Sequence, residues 1–233
     1  MSLEIYRDRA VALIRENLDL IKQKKFKELF DTTTNPNMRG AIGEMLVKAD
    51  IPFMNFLKAL PSYCFCGSDL TEITIPKTIE LINTGAFISC KNLHKINISG
   101  QIEGIGKECF QDCERLLDFP KLNLKYTGTI PDRAFCRCVS LKEITLVPGV
   151  EKIQEFAFED CINVQEITLP TSIKHIELGA FRNMDSLKKI TYQGTVDEWL
   201  KVRKDRYWIS LPNSLTIQFV CQDGTYIVGE DDL

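Results

Sequence analysis

The sequence predicts an α/β solenoid of about six 23-residue coils with parallel strands, a helical N-terminal cap and a mixed α/β C-terminal cap. An aliphatic residue lies five positions before each of six regularly spaced phenylalanines. In the last five copies, further apolar residues follow the phenylalanine by six and nine positions. Aligned apolar columns over several copies are typical of stacked repeats, none of which buries its own apolar edge. The phenylalanines recur at spacings of 22, 23, 25, 23 and 23 residues: Phe65, Phe87, Phe110, Phe135, Phe158 and Phe181.

One copy shows how a coil is built. The segment 141–146, LKEITL, alternates apolar and polar residues, which predicts a short half-buried strand. Pro148-Gly149 then turns the chain, because proline fixes φ and glycine tolerates positive φ. Val150 and Ile153 form a second apolar edge before the chain reaches the next phenylalanine.

This repeat resembles a known family. The pattern L-x-x-I-x-L-P-x-x-V-x-x-I-x-x-x-A-F-x-x-C, from about Leu60 to Tyr192, is similar to the BspA-like (treponemal) class of leucine-rich repeat. The segments ITYQGTVDEWLKV and SLTIQFVCQDGTYIV resemble the way such domains end. The resemblance implies short parallel strands on a concave face and a function in adhesion or in recognition of a partner. It also suggests a bacterial or phage origin.

The third copy departs from the pattern. Lys121 stands where an apolar residue is expected, and two extra residues precede Ile130. We therefore expect the edge through Leu122, Leu124 and Tyr126 to bulge or to shift register.

The N-terminal cap, residues 1–59, is predicted to be helical. An amphipathic helix is expected over 3–31, followed by a loop over 31–37, a second helix over 38–49 and a third helix over 51–60. The stripe that predicts the first helix is Val11, Ile14, Leu18 and Ile21.

The C-terminal cap, residues 193–233, completes one continuous domain with the repeats of 60–192. A short helix is expected over 196–202, with Trp199 and Trp208 packing the cap. Alternation at Leu215, Ile217 and Phe219 predicts a strand. Asp223-Gly224 suits a hairpin turn, and the terminal GEDDL is expected to be a frayed acidic tail.

Nine cysteines without an export signal indicate reduced thiols in a cytosol rather than a disulfide framework. Four of them lie three residues after a repeat phenylalanine, a position that favours a small buried side chain. Because structural zinc favours a CxxC hook and the sequence has none, we expect no metal site. The four are Cys90, Cys113, Cys138 and Cys161.

Enzymatic activity is not expected. The two histidines, His94 and His175, occupy different positions of the repeat, so a shared catalytic role is not predicted. The sequence has neither a nucleophile elbow nor a phosphate loop, and no cofactor is implied.

The predicted binding surface is the solvent-facing side of the longer strands, expected to be concave, which we call the strand face. A solvated face with a threonine ladder is the structural alternative, but mixed charge on a rigid scaffold suits protein recognition. The candidate protein-binding residues are Glu72, Thr74, Lys95, Asn97, Asp118, Glu143, Thr145, Glu166, Thr168, Lys189 and Thr191.

A basic cluster near the C-terminal cap leaves an RNA- or phosphate-binding alternative. The net charge of −3 argues against sequence-independent binding of nucleic acid, which needs a basic surface. A protein is therefore the expected partner. The cluster, which Tyr207 and Trp208 follow, is Lys188, Lys189, Lys201, Arg203, Lys204 and Arg206.

No apolar run approaches the roughly 20 residues that cross a bilayer. Because the sequence as given shows no export signal, anchor or long repeat array, we expect a small intracellular, cytoplasmic binder or inhibitor of another protein. The alternative is a fragment of a bacterial surface adhesin whose leader lies outside this sequence.

Overall fold

The computed structural model describes residues 4–118, 122, 124, 128–211 and 216–229, and of residues 4, 5 and 228 it describes the backbone alone. The predicted solenoid is confirmed. Helices at the N-terminus lead into about six turns of parallel strands with a spacing of about 23 residues.

The N-terminal cap contains several short helices rather than one long first helix. They are α1 Glu4–Glu16, α2 Leu18–Lys22, α3 Phe26–Asp31 and α4 Pro36–Lys48, followed by one 3-10 turn at Phe53–Phe56.

The single helix predicted over 3–31 is wrong because Asn17 interrupts it. The side-chain amide of Asn17 donates to the Leu13 carbonyl oxygen at 2.8 Å, in competition with the helical backbone bonds. A second break follows at Lys24, whose φ is +59°. The predicted apolar stripe therefore does not continue as one buried face, and Leu18 is exposed.

The second predicted helix exists and starts earlier than expected. Pro36 occupies the first turn of α4, and the side-chain oxygen of Asn35 accepts a hydrogen bond from the Met38 N–H at 3.0 Å. Such a cap satisfies an N–H that has no partner within the helix. The third helix, predicted over 51–60, is shorter than expected, since only the 3-10 turn forms there.

Two glycines allow α4 to lie directly on the first coil. A Cβ added at Gly40 would lie 1.9 Å from the carbonyl oxygen of Cys66, and one at Gly43 would lie 1.8 Å from that of Cys64. Real atoms cannot approach so closely, so any larger residue would push the helix away from the repeat.

Short strands occupy two positions in the coils. Within the described residues they are β1 Ala59–Leu60, β2 Glu72–Ile75, β3 Leu81–Ile82, β4 Lys95–Ile98, β5 Gly104–Ile105, β6 Thr129–Ile130, β7 Glu143–Thr145, β8 Lys152–Ile153, β9 Glu166–Leu169, β10 His175–Ile176, β11 Lys189–Tyr192, β12 Arg203–Lys204, β13 Ile217–Cys221 and β14 Gly224–Val228.

The longer strands form one side of the stack, in the sheets β2-β4 and β14-β13-β11-β9-β7. The two-residue strands form the other side, in the sheets β1-β3-β5 and β6-β8-β10-β12. Neighbouring strands are parallel, except that β13 and β14 form an antiparallel hairpin.

Both sides of the stack are interrupted at the third repeat. Among the described residues, β4 does not pair with β7 and β5 does not pair with β6. Leu122 and Leu124 are buried, while Lys121 and Tyr126, which also entered the prediction of a shift, lie outside the described residues.

The six repeat phenylalanines form a continuous stack through the core. Successive ring centroids from Phe65 to Phe181 lie 5.2, 5.3, 5.1, 5.3 and 5.4 Å apart, and the rings are inclined by no more than 16°. Phe53 continues the stack at the N-terminal end and Trp208 at the C-terminal end, each with centroids 6.0 Å from the neighbouring phenylalanine. The caps therefore cover the ends of the aromatic column with aromatic rings.

The C-terminal cap begins with α5 Val196–Trp199, whose Thr195 and Glu198 form a capping box. The predicted cap packing is confirmed, since Trp199 lies 5.8 Å from Trp208 and 5.0 Å from Phe219 between ring centroids. The predicted strand and hairpin are also confirmed as β13 and β14, although Leu215 and residues 230–233 lie outside the described residues.

In the parts of the chain that the structure describes, no helix combines the length and the apolar character needed to cross a bilayer.

Candidate functional site

The strand face carries the predicted columns in register. Glu72 is paired with Lys95 across β2 and β4, and Glu143, Glu166 and Lys189 follow one another across β7, β9 and β11. The second column follows the same registers two residues further along each strand: Thr74, Asn97, Thr145, Thr168 and Thr191.

Alternation places these columns in solvent while the residues between them enter the core. Glu143 and Thr145 are exposed, and Ile144 between them is fully buried. Lys189, Thr168 and Thr191 are half-buried and the other column members are exposed. The backbone that carries the outward residues of the strand face is therefore anchored by the core.

The third repeat divides the strand face into two parts. Asp118 is exposed and lies outside the described strands, beside the residues that the structure does not describe. A cleft of about 880 Å³ lies between β4 and β7. It is lined by residues of both strands, among them Lys95, Asn97 and Glu143, and by Asp118 and Leu122 of the third repeat, and we assign no ligand to it.

Sequence reasoning missed an extension of the strand face onto the cap. Gln218 is in register with Lys189, and Val220 with Thr191, so β13 continues both columns. Across the hairpin, Ile227 pairs with Gln218, and its side chain is 67% exposed. Alternation in TIQFVCQDGTYIV was the available signal, but the register that aligns these strands with the repeats is visible only in the structure.

The electrostatics of the strand face are uneven. Lys189 Nζ lies 2.6 Å from Glu166 Oε2, so these two charges compensate each other. Glu143 is the Cα partner of Glu166 and has no ion pair within the described residues. Like charges on directly paired strand positions oppose folding, and the free carboxylate at Glu143 makes this part of the face acidic.

All nine cysteines are free and buried. The four cysteines that share the slot after the repeat phenylalanine each donate the S–H to the carbonyl oxygen of a phenylalanine in the preceding coil, as Cys138 does to Phe110 at 3.1 Å. The corresponding sulfur–oxygen distances are 2.9 Å from Cys90, 3.2 Å from Cys113 and 3.2 Å from Cys161. Within the described residues, no three histidine, cysteine or acidic side chains are grouped as metal ligands.

The two histidines are not brought together. His94 is exposed beside β4, whereas His175 lies on β10 in the sheet of short strands, with its Nε2 2.9 Å from Asp205 Oδ1. The hydrogen bond from His175 lowers the pKa of the Asp205 carboxyl.

Several side chains of the predicted basic cluster already contact acidic or aromatic residues of the same chain. Arg203 lies 3.4 Å from Asp205, and Lys204 Nζ lies 4.2 Å from the centre of the Trp199 ring. Burial lowers the pKa of Lys204. Trp208 is buried, while Tyr207 is 61% exposed.

Comparisons with known proteins identify the repeat. A family model described as "BspA type Leucine rich repeat region" matches six copies over residues 47–126 and 117–201, which is more than half of the chain. A comparison with curated proteins found no match.

Two of the solved structures that are similar to this chain are bacterial leucine-rich repeat proteins. A leucine rich cell surface protein from Faecalibacterium prausnitzii A2-165 is 29% identical with a TM-score of 0.53, over 57% of this chain and 35% of that chain. The T. pallidum leucine-rich repeat protein is 22% identical with a TM-score of 0.56, over 68% of this chain and 73% of that chain. The match thus spans about a third of the length of the Faecalibacterium protein. Repeat pattern, solenoid architecture and family model agree: the chain belongs to the BspA-type leucine-rich repeat family.

Proposed function

We propose that this chain is a non-catalytic protein-recognition module that binds its partner through the strand face. The observation that carries the proposal is the continuous array of outward residues across β7, β9, β11, β13 and β14, held in register by the sheet. A backbone already held in register by a sheet loses little conformational entropy when it binds, which favours a protein interface.

The surface has the mixed chemistry of such an interface. Glu143 supplies a negative charge that has no ion pair among the described residues, the threonine column supplies hydroxyl groups and Ile227 supplies exposed apolar surface. Charges at an interface speed encounter and select partners, whereas buried apolar contacts contribute most of the affinity. We infer that the partner presents a basic side chain opposite Glu143, next to the ion pair of Glu166 and Lys189.

For the cellular role, we propose a small intracellular binder that can act as an inhibitor by covering a partner's surface. The nine free, buried thiols support this role, because such thiols are usual in reducing compartments. The name of the Faecalibacterium protein, a cell surface protein, supports the second candidate, a surface adhesin. Protease treatment of intact native cells separates them, since an adhesin would be digested and an intracellular binder would be protected.

The test of partner recognition uses two baits. The full chain and its Glu143→Lys/Glu166→Lys variant are immobilised, and proteins captured from the native host are compared by mass spectrometry. We expect at least one protein to be captured by the unchanged chain and lost with the variant. A matched bait, Glu155→Lys, reverses an exposed charge of the same coil beside the short-strand sheet and should retain that protein.

If both variants retain every captured protein, the strand face is not the binding surface. Equal circular dichroism spectra and melting temperatures of the three baits exclude misfolding as the cause of any loss.

A further inference from the structure

A second candidate site lies where the last coil meets the C-terminal cap, away from the columns of the strand face. A cavity of about 280 Å³ is bordered by the end of β11, by the turn between β9 and β10, and by the residues after α5. Tyr192, Thr171 and Lys201 contribute one side chain from each of these segments.

Three side chains of the lining approach the backbone of Gly194 closely. A Cβ built there would lie 2.4 Å from Glu198 Oε2, 2.7 Å from a ring carbon of Tyr192 and 3.1 Å from the methyl carbon of Thr171. Carboxylate, phenol and threonine thus converge on one point, and the absent side chain of glycine is what permits the approach.

Three hydrogen-bond donors of the cavity have no partner among the described residues: the Tyr192 hydroxyl, the Thr171 hydroxyl and the Lys201 ammonium. Tyr192 is only 3% exposed. Tyr192 nevertheless lines the cavity. Burial and the neighbouring Glu198 raise the pKa of Tyr192.

The other charges of the lining are already engaged. Lys174 Nζ lies 2.8 Å from Glu151 Oε1, and Glu198 Oε2 accepts a hydrogen bond from the Thr195 N–H at 2.9 Å. Lys201 is therefore the uncompensated cation among the described lining residues.

The rest of the wall is apolar, since Ile173 and Val202 line the cavity and are 3% and 6% exposed. A ligand that satisfies this lining combines one anionic group with a short apolar chain. The single free cation and the nearby Glu198 carboxylate disfavour a doubly charged anion.

We propose that this cavity binds a carboxylate carried on a short aliphatic chain. The carboxylate accepts hydrogen bonds from Lys201 and Tyr192, and the chain packs against Ile173 and Val202. The same chemistry is offered by a free short-chain acid and by a glutamate side chain of a peptide. The site is independent of partner binding through the strand face, so either proposal can fail while the other holds.

The test is a titration of the full chain followed by the NMR shifts of backbone amides. Isovalerate represents the free acid and N-acetylglutamate amide represents the peptide side chain. We expect saturable shifts at Thr171, Lys201 and Val202, with dissociation constants in the millimolar range for so few contacts. Whichever of the two probes binds more tightly identifies the source, and the absence of saturable shifts with both would overturn the proposal.

Two further probes and three variants test the chemistry. Uncharged isovaleramide and inorganic phosphate should each bind more weakly than the better carboxylate. Lys201→Gln should weaken carboxylate binding about tenfold and Tyr192→Phe about threefold to tenfold, because they remove a charged and a neutral hydrogen bond. Lys188→Gln, an exposed lysine outside the cavity, should change nothing.

Equal or tighter binding of isovaleramide or phosphate would contradict the assigned chemistry. If Lys201→Gln and Lys188→Gln weaken carboxylate binding equally, the effect is one of general charge, and this result would also overturn the proposal. Unchanged amide spectra of the free variants control for folding.

Discussion

Cys138 shows how one position of the repeat meets two requirements. Its side chain fills a fully buried slot, and its S–H donates to the Phe110 carbonyl oxygen of the preceding coil. Cysteine is a small, weakly polar residue that suits burial. The periodicity predicted the slot and its burial, but it could not predict the bond to the carbonyl, because that bond depends on the rotation of successive coils.

The first prediction concerns the reactivity of these thiols. Burial raises the pKa of Cys66 to about 11 and that of Cys136 to about 12. Thiolate is the reactive form, so iodoacetamide at pH 8 should label the folded chain at least about a hundredfold more slowly than the urea-unfolded chain. Mass spectrometry measures the rates, and fast labelling of Cys66 or Cys136 in the folded chain would contradict the packing.

The second prediction concerns the aromatic stack. Phe87 lies between Phe65 and Phe110, with ring centroids 5.2 and 5.3 Å away, and is 1% exposed. Phe87→Ala should lower the free energy of unfolding by about 3–5 kcal/mol, through lost burial and the cavity left behind. Leu200→Ala, at a side chain that is 70% exposed, is the control and should change it by less than about 0.5 kcal/mol.

Urea denaturation measures both variants. Similar small effects in the two would mean that the stack is not the main source of cohesion between coils.

At the scale of the element, α4 shows that contact with the first coil outweighs local helix preference. Glycine is the poorest helix former apart from proline, yet α4 keeps Gly40 and Gly43 where the backbone of the first coil is closest. The charges of α4 add to this attachment, since the buried Glu44 lies 2.9 Å from Arg7 of α1 and accepts a hydrogen bond from the Asp69 N–H at 3.2 Å.

The third prediction follows from this contact. Gly40→Ala would raise the stability of an isolated helix by about 1 kcal/mol, but here its Cβ would overlap the Cys66 carbonyl oxygen. We expect net destabilisation, with the melting temperature lowered by several degrees for each kcal/mol lost. Glu16→Ala, at an exposed position of α1, is the control, and a stabilising effect of Gly40→Ala would refute the close approach.

The elements also show where sequence reasoning stops. The repeat strands were predictable because alternation and a nearly fixed period coincide in most copies, with a one-residue shortening in the first and a larger departure in the third. The break at Asn17 was not predictable from the apolar stripe, which continues through it from Ile14 to Ile21. The contribution of β14 to the strand face was not predictable because it depends on the register between Ile227 and Gln218.

At the scale of the whole molecule, the stack is a sheet-lined rod closed by two different caps. The N-terminal cap covers the first phenylalanine with Phe53, and the C-terminal cap covers the last with Trp208 while adding two strands to the strand face. The candidate residues Glu143, Thr145, Glu166, Thr168, Lys189 and Thr191 therefore form one surface with the cap, whereas Glu72, Thr74, Lys95 and Asn97 lie beyond the interruption at the third repeat.

The most direct test of partner recognition is the affinity of the captured partner for the unchanged chain and for Glu143→Lys/Glu166→Lys, measured by isothermal titration calorimetry. The loss of complementary charge should raise the dissociation constant at least about tenfold, equivalent to about 1.4 kcal/mol, and more at low salt than at high salt. Glu155→Lys should leave it unchanged. A double variant that binds as tightly as the unchanged chain, at both salt concentrations, would contradict recognition through the strand face.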